Sequence, residues 1–187
     1  MPLSEFVYRV TRKNKTNNSL LPLTLSAQYG IINQKTFFNK TVASKDLSNY
    51  YLLLKGDFAY NKSYSKDYPW GTIKRLNKFD IGVVSNLYIC FNPYNANSDF
   101  LEHYFETNKW HKEISNIAVE GARNHGLLNI FTNDFLLTKH FIPSSKEQRK
   151  IAIFLNLIDS RIETQNKIID NLISQKKYIY DRIFHNM

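Results

Sequence analysis

One cysteine, Cys90, and six glycines are all that 187 residues carry of either type. A lone thiol excludes a disulfide framework within the chain and a cysteine zinc site, and a reducing compartment fits. The scattered glycines leave no phosphate-cradling loop. Long apolar runs are also missing. The stretch from Leu20 to Ala27 is broken by Pro22 and Thr24, and nothing is long enough to span a bilayer. No N-terminal segment resembles a signal peptide, so the chain reads as cytoplasmic. Acidic residues are outnumbered, 16 against 25 Lys and Arg. Asp57, Asp67 and Asp80 stand apart, and no acidic pair with a nearby lysine has the spacing that would hold Mg²⁺ in a nuclease. The five histidines are dispersed, with no pair at helical metal-ligand spacing. The pattern predicts no metal site and no catalysis.

What is present is apolar and aromatic. Hydrophobic residues make up 43% and aromatics 14%, enough for one globular domain with a real core. Charge is uneven. Residues 1–80 hold 13 Lys/Arg against 5 Asp/Glu, residues 81–143 hold 4 against 6, and residues 144–187 hold 8 against 5. A basic first half points to a polyanion partner, although solubility alone produces similar excesses. Leu3 to Val10 reads equally as a strand or a helical turn. Strands are predicted over Leu23 to Tyr29, Thr72 to Arg75, Gly82 to Phe91 and Leu127 to Phe131. A short helix is predicted over Thr41 to Ser48 and a longer one from Ser98 to about Val119. The fold class is α+β: a mixed globular domain, residues 1–142, followed by one long coiled-coil helix within 143–187.

That helix is the clearest signal. Ile151, Leu155, Ile158, Ile162, Gln165, Ile169, Leu172, Lys176, Ile179 and Ile183 follow one another at alternating spacings of four and three. Such a seam packs lengthwise against another helix. Pro143 stops the preceding segment, and Ser144 with Glu147 forms a capping box. A helix from Ser145 to Phe184 is about 60 Å long at ~1.5 Å per residue. A domain this small does not need such a rod to close its core, which suggests a ruler or a dimerisation arm.

The run from Ile142 through Pro143, Ser144, Glu147, Gln148 and Ile151 to Ala152 resembles the start of the spacer helix in specificity subunits of Type I restriction–modification systems. Phe154-Leu155, Ile158-Asp159, Ile162-Glu163 and Gln175-Lys176-Lys177 continue the likeness over some forty residues. Such subunits resemble two repeats of a target-recognition domain and a spacer helix, and this chain resembles one repeat. The resemblance implies a non-catalytic DNA-recognition module. It binds double-stranded DNA, assembles with methyltransferase (modification) and restriction subunits, and pairs antiparallel with an identical chain or a second specificity half. S-adenosylmethionine is then expected on the methyltransferase partners, and no cofactor on this chain. Asn92-Pro93-Tyr94 resembles the Asn-Pro-Pro-Tyr motif of methyltransferases but lacks the second proline, and it reads as a strand-ending turn. A coiled-coil transcriptional regulator and a stand-alone endonuclease are the alternatives.

Candidate DNA contacts fall in loops. The segment from Tyr60 to Tyr68 mixes aromatics, amides, hydroxyls and cations. Here Lys62, Ser63, Tyr64 and Lys66 suit phosphates, and Asn61 suits adenine. Gly121 and Gly126 bracket Arg123, Asn124 and His125, donors for guanine, adenine and phosphate. A comparable basic loop occurs in the resembled family. Lys13 and Lys15 in a polar loop, and Lys74 and Arg75 on a strand, are further phosphate candidates. The seam itself predicts a register. In antiparallel pairing about Lys167, Ile151 faces Ile183, Leu155 faces Ile179, Ile158 faces Lys176, Ile162 faces Leu172, and Gln165 faces Ile169. The expected outcome is that Ile162→Cys and Leu172→Cys on two chains crosslink under mild oxidation. Failure of that pair, with crosslinking at another spacing, would overturn the register.

Overall fold

The computed structural model describes residues 1–40, 42–123 and 126–184, with the backbone alone over 119–123. At its centre is a four-stranded antiparallel sheet in the order β1-β8-β5-β6. These strands are β1 (Val7–Arg9), β5 (Phe58–Asn61), β6 (Thr72–Arg75) and β8 (Ile89–Pro93). Side chains alternate across a strand, so each strand serves two cores. Phe58, Tyr60, Ile73, Ile89 and Phe91 face one core, and Ala59 and Cys90 face the other.

Helices cover the first face. They are α2 (Ser98–Glu106), α3 (His111–Ile117) and α4 (Thr132–Leu137), which contribute Leu101, Phe105, Ile114 and Phe135, with Trp110 added from the position just before α3. Phe58 stacks on Phe91 at 5.3 Å and Tyr60 on Phe135 at 5.0 Å, so aromatic area dominates this core. Two strand pairs cover the second face. β2 (Leu23–Ser26) pairs with β3 (Gly30–Asn33), and β4 (Tyr51–Leu54) with β7 (Ile81–Val84). No described helix is long and apolar enough to cross a membrane.

Four sequence expectations change. Leu3 to Val10 is both things at once, a 3-10 turn over Leu3–Glu5 followed by β1. The single strand predicted over Gly82 to Phe91 is two strands in different sheets. Ser85 turns the chain between them by accepting from Tyr88 N at 3.2 Å, and its hydroxyl accepts from Leu87 N. The helix predicted over Thr41 to Ser48 does not form in residues 42–48. A short helix, α1 (Gln34–Phe38), forms instead, where Asn33 caps Lys35 N and Asn39 adopts φ 51° to end it. The helix predicted from Ser98 to Val119 breaks after Glu106. Thr107 takes the Tyr104 carbonyl with both its backbone N–H and its hydroxyl, a local competition typical of Thr.

The last helix, α5, runs from Ser145 to Phe184 as predicted. Ser144 N donates to Glu147 Oε2 at 3.0 Å and Glu147 N to Ser144 Oγ at 3.4 Å, completing the capping box. Only Gln148 and Ala152 are buried along its 40 residues. Leu155 is partly buried, and the seam residues from Ile158 onward are exposed on their own chain.

The N-terminus closes against the segment that enters this helix. Met1 N donates to His140 O at 2.9 Å, and His140 N returns a bond to Met1 O at 2.8 Å. The His140 ring is 4% exposed and makes bonds of 2.8 Å at both nitrogens, to the Tyr104 and Thr138 hydroxyls. Thr138 Oγ1 already donates to Phe135 O at 2.6 Å, so it accepts from Nε2–H, and Nδ1 accepts from Tyr104. The neutral ring satisfies both partners. Burial pushes its pKa down from 6.5 to about 4. The unfolded chain takes up this proton as pH falls through 6.5, and the folded chain only near 4. Stability from His140 is therefore complete above 6.5 and lost between 6.5 and about 4. Urea unfolding at pH 7 and pH 4 is expected to show about 3 kcal/mol less acid loss in His140→Gln than in the wild type.

Candidate nucleic-acid interface

β5 does not stop when its pairing with β6 ends. Asn61 Oδ1 accepts from Ser63 N at 3.1 Å and Ser63 Oγ at 2.9 Å, a local turn that asparagine favours. The chain then pairs with β10 (Leu127–Asn129). Tyr64 N donates to Gly126 O at 2.6 Å, and Leu128 N donates to Lys62 O at 2.9 Å. Ser63 and Leu127 form an isolated bridge, and Lys62 Nζ reaches Ile130 O at 3.1 Å. In turn β10 pairs with β9 (Val119–Arg123). The two loops that the sequence offered separately are thus joined by one backbone ladder. They are some sixty residues apart in the chain and adjacent in space.

The tip of the first loop is closed on itself. Ser65 and Tyr68 exchange backbone bonds of 3.2 and 3.1 Å, leaving Lys66 and Asp67 exposed at the turn. Tyr64 and Tyr68 are also exposed. Below the tip, Tyr60 OH donates to Trp70 O at 2.7 Å and Gly71 N to Tyr68 O at 3.1 Å. Gly71 takes φ +77°, and a Cβ there would collide with the Asn61 carbonyl oxygen and lie 2.9 Å from Tyr60 Cε2. Glycine is required there by conformation and by space. A cleft of about 230 Å³ lies beside the loop, bordered by Asp67, Tyr68, Thr72, Asn108, Trp110 and His111. Burial lowers the His111 pKa. Asn108 and His111 were not legible as neighbours of this loop. The sequence reading ran one helix through both residues, and only the turn after Glu106 brings them beside the loop.

The remaining candidates disperse. Lys13 sits on the other face of the sheet, with Nζ 2.9 Å from Asn49 O and 3.7 Å from the Tyr51 ring centroid. Lys15 is exposed on the adjoining turn, which the buried Asn14 braces through Ser19. Lys74 and Arg75, the phosphate candidates on a strand, are engaged by carboxylates of their own chain. Lys74 Nζ lies 2.6 Å from both Glu106 oxygens, and Arg75 binds Asp99 at 2.7 Å, Ser98 at 2.9 Å and Glu102. Their side chains are 13% and 15% exposed, so both cations are matched within the chain and pin edge strand β6 to α2. Arg123 closes β9 by its backbone; its side chain, with Asn124 and His125, lies outside the described residues. Among the described residues no three His, Cys, Asp or Glu converge as a metal site would require.

No family model and no curated protein sequence matches this chain. Solved structures do match. A chain from a structure concerned with complex assembly and conformational transition of the type I R-M system aligns at TM-score 0.59 and 16% identity, over 90% of this chain and 43% of that one. The crystal structure of the HsdS subunit from Thermoanaerobacter tengcongensis aligns at TM-score 0.58 and 15% identity, again over 90% and 43%. The chain thus has the fold of these specificity-subunit structures and spans 43% of their length. Gly71→Ala is expected to destabilise the domain by about 1–3 kcal/mol. Its denaturation midpoint and Trp70 emission should shift together, and an unchanged midpoint would show that the turn tolerates a side chain.

Proposed function

We propose that this chain is a DNA target-recognition module of a Type I restriction–modification assembly, equivalent to one half of a specificity subunit. The observation that carries this reading is the fold match over 90% of the chain. It agrees with the independent likeness of residues 142–177 to the spacer helix. In this reading residues 1–142 recognise one part of a split site and residues 143–187 set the distance to the other. The joined loops, with Asn61, Lys62, Ser63, Tyr64 and Lys66, and the sequence Arg123-Asn124-His125, make the DNA contact. Lys74 and Arg75 are left out, because their charges are neutralised at home. Phosphate contacts from the lysines hold position, and the amides and Arg123 carry base selection.

The module performs no chemistry itself. Methyltransferase subunits supply S-adenosylmethionine and methyl transfer, and restriction subunits supply cleavage. The uncovered seam of α5 is suited to an antiparallel second helix, from an identical chain or a separate half. Leu172→Asp would bury a carboxylate against Ile162 of the partner, which costs more than one apolar layer returns. The expected result by light scattering is a dimer for the wild type and a monomer for Leu172→Asp. A wild type that stays monomeric at high concentration would sink self-pairing.

DNA recognition is tested with the assembled complex and its specific duplex. Arg123→Ala should cost about 1–3 kcal/mol and relax selection at one base pair, whereas Lys66→Glu should weaken all sequences alike. Unchanged binding by both variants would remove the joined loops from the interface.

A further inference from the structure

We propose that α1 and the β2–β3 hairpin form a second, sequence-independent contact with duplex DNA, in which Phe37, Phe38 and Tyr29 meet sugars and base edges while Lys35, Lys40 and Lys78 meet phosphates. This rests on the DNA-binding reading above and adds a surface that the loops do not include.

Charge is the first observation. From Phe6 to Lys45 the chain holds seven Lys or Arg and no Asp or Glu. Arg12 is answered by the buried Asp57 and Lys13 by the Tyr51 ring. Lys35 and Lys40, on α1 and just beyond its cap, are exposed. No carboxylate within those forty residues neutralises the exposed Lys35 and Lys40, which favours a polyanion.

The second observation is aromatic. α1 buries none of its residues, yet it carries Phe37 and Phe38, 44% and 42% exposed. Their ring centroids are 4.9 Å apart, and Tyr29, 58% exposed, lies 6.4 Å from Phe37. Three rings are held together at the surface, where they do not serve their own core. Beside them is a groove of about 440 Å³, walled by Tyr29, Ile32, Phe37 and Phe79 with Asn33 and Lys78 on its border. Lys78 Nζ is held at this border, 3.0 Å from Tyr29 O.

The carboxylates that share the adjoining hollow are Glu102 and Glu106, and Arg75, Asn77 and Lys74 engage both. Asp80 pairs with Lys55 at 3.6 Å. Lys35, Lys40 and Lys78 are exposed, Lys78 with its Nζ on Tyr29 O, and none of them is paired with these carboxylates. Aromatic rings interleaved with cations suit nucleic acid, since ring faces pack on sugars and bases without reading sequence, and apolar wedges enter the minor groove. The patch lies toward the end of β6 that leads to Lys78, and the joined loops lie at its beginning. Contacts at both ends of one strand would let the domain grip the duplex at two points.

The test is fluorescence-anisotropy titration of the full chain against a labelled 30-base-pair duplex of arbitrary sequence over a range of salt. The triple variant Lys35→Gln, Lys40→Gln, Lys78→Gln should reduce the slope of log K against log salt by about 0.9 per lysine. Phe37→Ser with Phe38→Ser should weaken binding at least about fivefold at constant slope, and Phe37→Tyr with Phe38→Tyr should restore it. All substituted side chains are exposed, so folding is checked simply by circular dichroism. Unchanged affinity and slope in these variants, while Lys66→Glu weakens binding, would overturn this surface and leave the loop reading standing. A phenylalanine variant that binds DNA normally but loses mass in light scattering would assign the patch to protein contact and equally overturn the proposal. Absence of duplex binding by the wild type would remove this proposal together with the DNA reading of the isolated chain.

Discussion

The side chain of Gln148 ties the long helix to the domain. Its Oε1 accepts from Asn97 N at 2.8 Å, and its Nε2 donates to Pro143 O at 2.9 Å. Gln148 is 3% exposed, and its amide pairs two half-buried backbone groups from separate segments. Ala152, one turn further, is small enough to enter the aromatic core. One turn beyond that, His103 of α2 meets Asn156 at 2.8 Å. Beyond Asp159, whose carboxylate lies 3.8 Å from the His103 ring, the helix has left the domain. About three turns of packing therefore orient a rod of ten or more turns.

That orientation is passed inward through α2. Asn97 caps α2 by accepting from Phe100 N at 2.9 Å. The exposed side of α2 carries Asp99, Glu102 and Glu106, which hold Arg75 and Lys74 of β6. β6 pairs with β5 from Arg75 opposite Phe58 to Thr72 opposite Asn61. At Asn61 the chain enters the loop ladder. A continuous set of packed and hydrogen-bonded elements thus runs from the root of α5 to the Tyr64–Gly126 contact. Under the proposed reading, in which α5 sets the spacing between two DNA segments, this stiffness would matter more than the strength of any one pair. Half-exposed ion pairs contribute little to stability singly, but several on one strand edge restrict its movement.

On the other face of the sheet, Asp57 does comparable work. Its carboxylate is buried and accepts from Arg12, from Asn92 Nδ2 at 2.6 Å and from Leu54 N at 2.8 Å. A buried charge persists only when paired and hydrogen-bonded. Asp57 looks isolated along the chain, and a search for acidic pairs passes over it, because its partners come from three separate segments. Lys74 and Arg75 mislead for the converse reason. Two adjacent cations on a strand look available for phosphates until α2, contributed from some thirty residues later, is laid beside them.

Periodic and local features were determined by the sequence alone. The four-three spacing, the Ser144–Glu147 box and the absence of any helix breaker after Pro143 are sufficient for α5, since each acts within a turn or two of helix. The α+β class and the composition of both candidate loops were legible on the same grounds. Tertiary structure decided everything that depends on which segments meet. It split Gly82 to Phe91 between two sheets, moved the short helix to Gln34–Phe38 and joined the loop at Asn61 to the hairpin at Leu127. It also divided the lysines into those with a carboxylate partner and those without one. A side chain's charge can be read from its letter. Whether that charge is free depends on neighbours distant in the chain, which only folding brings within hydrogen-bond reach.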